Sequence, residues 1–115
     1  MQATFRHGNP LMCDYTPGSA VAEGDVVVVG SLAGIAHRPI AANAKGSLAC
    51  GGGVYQVTAA GALSAGAVVY WDDTANKVTG TASTHKVFGY VAPGSSAAGD
   101  GSLVDVVHTP KEPAV

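Results

Sequence analysis

The chain has 115 residues, enough for one domain and not for two. Charged residues make up 12%, about half the roughly 25% of an ordinary globular domain, while 47% are hydrophobic, which excludes a disordered chain. Six Lys and Arg against eight Asp and Glu give a net charge of −2 and no cationic excess for the phosphates of a nucleic acid.

The first ten residues contain no apolar run of the kind a secretory signal carries. The longest apolar stretch, Val26 to Ala36, is interrupted by Gly30, Ser31 and Gly34 and is about half the roughly 20 residues of a membrane span. A soluble protein made in a cytoplasm is the expectation. Sixteen Gly and six Pro punctuate the chain too often for long helices, and short Val-rich runs lie between them, so the expectation is an all-β fold of short antiparallel strands.

Thr4 to His7 and Leu11 to Thr16 read as strands around the turn Gly8-Asn9-Pro10. In the second, Leu11, Cys13 and Tyr15 alternate with Met12, Asp14 and Thr16. Val26 to Val29 follows the turn Glu23-Gly24-Asp25, and four consecutive valines predict a strand covered on both faces, by core on one and by core or partner on the other. Gly30 and Gly34 predict a tight reversal, with Ile35 to Arg38 returning antiparallel until Pro39 stops it. Gly51-Gly52-Gly53 reads as a flexible loop or bulge before a strand at Val54 to Thr58. Ala67 to Trp71 and Lys77 to Thr81 form a hairpin across the polar loop Asp72 to Asn76. Lys86 to Ala92 and Ser102 to His108 form the closing pair, with Val104 and Val106 on one face and Leu103, Asp105 and Val107 on the other. The proposed division is a single β domain over 1–108, with an N-terminal strand arm at about 3–16, and a Pro-containing flexible tail over 109–115.

An ungapped internal repeat aligns Ala20 to Val28 with Ala62 to Tyr70. In each copy an apolar residue precedes a Gly turn that feeds a Val-Val strand, and a looser third copy begins at Ala97. The repeat reads as one turn-plus-strand device reused within a small barrel or sandwich.

Organised chemistry is scarce. Cys13 and Cys50 belong to no Cys-x-x-Cys pair, and no histidine stands at ligand spacing from either, so they read as small buried thiols. Asp72 and Asp73 are neighbours on a strand end, which suits a turn better than a catalytic dyad. There is no Gly-x-Ser-x-Gly elbow, and Lys45-Gly46-Ser47 reverses the order a phosphate loop requires. No catalytic, metal or cofactor residue is assigned. His37-Arg38 beside Pro39 is the best local cationic spot, suited to an acidic surface on a partner.

The order of the motifs carries a resemblance. Gly8-Asn9 and Asp14-Tyr15-Thr16-Pro17 precede Val21-Ala22, Gly24-Asp25-Val26-Val27 and then Gly34-Ile35-Ala36, Arg38-Pro39-Ile40. Gly46, Leu48-Ala49 and Ala65 to Thr74, with its Val-Tyr-Trp-Asp-Asp-Thr segment, follow before Gly89-Tyr90-Val91-Ala92 and Ala97-Ala98-Gly99-Asp100. The set, covering about Thr4 to His108, resembles a family of small phage proteins, domain of unknown function 2190, that includes capsid cement or decoration proteins. The resemblance implies a jelly-roll-like sandwich or barrel that forms homo-oligomers, with dimers favoured over trimers. It further implies binding to major capsid proteins on the outside of the head, with no catalytic residues. Some members are labelled RecA-like recombinases, which this chain contradicts, since it lacks a phosphate loop.

On this reading, Phe5, Tyr15, Arg38, Tyr70 and Trp71 are the candidate contacts with capsid or with a second copy, because buried aromatics and Arg often dominate interfaces. At least one of Tyr70 and Trp71, which point to opposite faces of one strand, is expected in the core. The alternative is a small virion-displayed module for carbohydrate or a host surface, to which a single Trp offers little stacking area.

Overall fold

The structure is a computed structural model that describes residues 2–30, 32–82 and 85–110. Among these, regular structure consists of strands alone: β1 (Ala3–His7), β2 (Leu11–Tyr15), β3 (Val26–Val29), β4 (Leu32–Ala36), β5 (Gly46–Gly51), β6 (Val54–Thr58), β7 (Val68–Asp72), β8 (Lys77–Thr79), β9 (Lys86–Val91) and β10 (Leu103–His108). They form two antiparallel sheets, a six-stranded one ordered β1-β6-β10-β9-β7-β8 and a four-stranded one ordered β2-β5-β4-β3. The result is a sandwich and not a closed barrel.

Period-2 alternation explains how the sheets meet. On β10, Val104, Val106 and His108 are buried while Leu103, Asp105 and Val107 face outward. On β6, Tyr55 and Val57 are buried between more open neighbours. The inward residues of both sheets, including Ile35, Ala33 and Ala49 from the smaller one, form one apolar cluster around Tyr55, Trp71 and Phe88.

The internal repeat is a real structural device. Gly24, Gly66 and Gly101 all take positive φ, at 83°, 81° and 87°, a conformation that costs glycine least. Each then exchanges a reciprocal pair of backbone hydrogen bonds with the neighbouring strand or its continuation. Gly24 N–H donates to the Ala36 carbonyl and Ala36 N–H to that of Asp25; the equivalents are Gly66–Val91–Ala67 and Gly101–Ala59–Ser102, all between 2.7 and 2.9 Å. The apolar residue three positions before the first two glycines makes an isolated bridge, Val21 with Ile40 and Leu63 with Ala97. Ala97 opens the third copy, which is one residue longer than the other two.

Several expectations need correction. The reversal between β3 and β4 lies at Gly30, whose φ is 60°, whereas Gly34 sits inside β4, where a Cβ would approach the Leu48 side chain to 3.1 Å. The valine strand β3 is a sheet edge: Val26 and Val28 pack on the core, while on the other face Val27 is half-buried and Val29 is exposed, so among the described residues that face is only partly covered. Gly46–Gly51 is a strand that the glycines at its ends concealed. Gly52 and Gly53 form a tight turn between the sheets, tied by hydrogen bonds of 2.7 and 3.0 Å to the backbone of His108. Of the C-terminal segment, Thr109 N–H donates to the Phe88 carbonyl and Pro110 is buried; residues 111–115 lie outside the described residues.

Candidate docking surface beneath the strand crossover

The chain leaves the six-stranded sheet after β1 and enters the four-stranded sheet at β2, across Gly8-Asn9-Pro10. A cleft of about 730 Å³ lies beneath this crossover. Phe5 and Met12 line it from the two strands, His37 to Ile40 from the loop after β4, and Lys45 to Ser47 from the start of β5. Gly46 is required there, because a Cβ would come within 2.7 Å of the Ile40 side chain. A smaller hollow of about 190 Å³, reaching Glu23, shares Phe5 and His37 with the cleft.

From the cleft a chain of rings runs into the core. Phe5 stacks at 5.0 Å on His37, His37 at 5.5 Å on Tyr55, Tyr55 at 5.6 Å on His108, His108 at 5.0 Å on Phe88, and Phe88 at 5.8 Å on Trp71. His37 Nε2 and the Tyr55 hydroxyl share a hydrogen bond of 2.5 Å. Burial raises the Tyr55 phenol and lowers His37, so both are neutral near pH 7. His108 is completely buried; its Nε2–H donates to the Ala33 carbonyl at 2.7 Å and its Nδ1 has no partner among the described residues. Burial pushes its pKa down to about 4.

Charges around the cleft are unequal in their engagement. Lys45 is paired with Asp14 at 3.3 Å, and Arg6 lies 3.9 Å from Asp105. Arg38 is exposed at the rim and has neither an ion pair nor a hydrogen bond among the described residues.

The structure thus brings Phe5 and Arg38 together and separates the other candidates. Tyr15 is half-buried at the end of β2, and Tyr70 is half-buried on the outer face of the six-stranded sheet. Trp71 is buried and donates its indole N–H to Asp73 at 3.0 Å, so it belongs to the core and offers no surface to a partner. Sequence reasoning passed over Met12 and Ile40 in the cleft. It also missed a row on the outer face of the six-stranded sheet, where Val54, Val107, Tyr90 and Val68 stand opposite one another across four strands. Val68 is 51% exposed, and Leu103, four residues before Val107 on the same face of β10, is 59% exposed. The outward alternation of Leu103 and Val107 was the available signal for this row.

The cysteines are not the buried thiols expected. Cys13 is exposed on β2 and Cys50 half-buried on the adjacent β5, where its thiol donates to the Leu48 carbonyl at 3.4 Å. Burial, reinforced by the Cys13 thiol, raises Cys50 to about 11. Both faces of β2 are open, with Cys13 exposed on one and Met12 on the other, which accounts for the exposure.

A small all-β sandwich with exposed apolar faces is a scaffold for surface contact, and among the described residues no three His, Cys, Asp or Glu side chains gather as a metal site. The family model described as phage cement protein matches residues 5–108. The chain therefore belongs to the phage cement protein family, which associates it with the capsid of a bacteriophage as a structural protein. No curated protein and no solved structure matches the chain.

Proposed function

We propose that the protein binds the outer surface of the phage head as a homo-oligomer, a dimer in preference to a trimer, and stabilises contacts between neighbouring major capsid proteins. The observation that carries this reading, beside the family, is the presence of apolar surface on two separate sides of one small domain. One is the cleft and edge around Phe5, Leu11 and Met12; the other is the outer sheet face around Val68, Tyr90 and Leu103. A protein with two such sides can bridge two neighbours, and many copies on a lattice multiply modest contacts through avidity. The outer edge of β2 is the part of the N-terminal segment that supports strand pairing with a partner.

Mixing the purified protein with undecorated heads and sedimenting them tests the reading. Near-stoichiometric co-sedimentation is expected; recovery of the protein in the supernatant alone contradicts it.

A further inference from the structure

The geometry points to the cleft beneath the β1–β2 crossover as the seat of an extended apolar segment of the capsid protein, which pairs with the outer edge of β2 and sets a carboxylate against Arg38. The inference rests on the cement reading and specifies the chemistry of its contact.

Three observations converge. β2 is a terminal strand of its sheet, and four of its five residues are exposed, with Leu11 at 67% and Met12 at 41%. An exposed apolar edge is a template for another strand, and proteins that stay alone normally blunt it with free charge or a bulge. The charge on β2, Asp14, is drawn to Lys45, and the bulge sits at its very start, between Leu11 and Met12. Beside this edge the cleft offers Phe5, Met12, Pro39 and Ile40 in a volume of about 730 Å³, within the size range of sites that seat small ligands or short segments.

The third observation is the unpaired guanidinium. Lys45 lies 3.3 Å from Asp14 and burial lowers the pKa of His37, so among the described residues Arg38 is the cation of the cleft with no ion pair or hydrogen bond. A planar guanidinium at an apolar rim suits a carboxylate bound through two parallel hydrogen bonds. This chain has little to offer in that role. Asp14, Asp25, Asp72, Asp73, Asp100 and Asp105 each already hold a hydrogen bond or an ion pair. Glu23, the one described carboxylate left, sits in a turn whose next residue is locked by backbone bonds to Ala36 and Ala3, so it is not part of an extended segment. Among the described residues no carboxylate is thus placed to fill that role, and for a cement protein the capsid subunit is the source of the counter-charge.

The test compares binding of the wild type, Arg38→Glu, Arg38→Lys and Met12→Asp to undecorated heads, with thermal melting and native mass measured on each free protein. Both altered side chains are exposed, so melting should be unchanged. Arg38→Glu and Met12→Asp are expected to weaken head binding at least tenfold, and Arg38→Lys by less. If the wild type binds and these variants bind equally well, the cleft is not the seat, while the cement reading stands. If Arg38→Glu changes the native mass of the free protein, a second copy occupies the cleft and the inference is overturned. If the wild type itself fails to bind heads, the cement reading falls and the inference falls with it.

Discussion

A Cβ placed on Gly89 would lie 1.8 Å from the Val107 carbonyl oxygen, because β9 and β10 run together there with Gly89 opposite His108. Gly89→Ala should therefore cost about 3 kcal/mol or more in urea unfolding, at or above the upper end for overpacking in a core. Gly61→Ala is the control, since nothing lies within 4 Å of its Cβ position, and it should change stability by no more than about 0.5 kcal/mol. Equal stability of the two variants would contradict the packing described here. His108 adds a pH dependence. Its neutral form is buried with a pKa of about 4, against about 6.5 in the unfolded chain, so the unfolded state binds the extra proton. Stability is complete above pH 6.5 and falls as the pH drops toward 4, by about 3 kcal/mol from this group, with His37 acting in the same direction. Unfolding measured across that range should show the loss, and His108→Gln should flatten it. At the thiols, iodoacetamide at pH 8 should label Cys13 well before Cys50, which is half-buried and whose pKa is raised to about 11. Equal labelling rates would argue against the edge placement of β2.

Strand existence was legible wherever turn residues and β-branched residues agreed. The hairpin of β7 and β8 and the closing pair of β9 and β10 lie close to where the sequence places them, within one or two residues at the ends. The repeat was legible too, because a glycine at positive φ followed by a Val-rich strand leaves a local signature. What failed had a tertiary cause. The strand opening at Gly46 was not assigned, and its first residue is a glycine because Ile40 from another segment packs against it. Four valines read as a strand covered by core on one face and by core or partner on the other; the core face is as expected, and the edge position of β3 is set by sheet order and not by its own residues. Sheet order also predicts dynamics. Amide exchange should be slowest in β6 and β10, which are paired on both sides within the core, and fastest in β2, which is paired on one side and largely exposed. Protection of β2 equal to that of β10 in the free protein would mean that its outer edge is already covered.

At the scale of the molecule, low charge and abundant Ala, Val and Gly build a sandwich 38 × 28 × 24 Å with apolar surface left on two sides. Phe5 and Arg38 were legible as candidates one at a time. The cleft that joins them was not, since its walls come from five segments between Phe5 and Ser47 that only the fold assembles. Trp71 shows the converse, an aromatic that looks like an anchor in sequence and is consumed by the ring chain of the core. Two exposed sides make bridging the central claim, and bridging differs from mere attachment in what it does to the shell. The direct measurement is the temperature at which undecorated heads come apart, with and without saturating protein. The account predicts a higher disruption temperature with the protein bound, and a smaller rise when Val68 and Leu103 on the outer sheet face are both changed to Ser. Saturated heads that come apart at the same temperature as bare ones would contradict it.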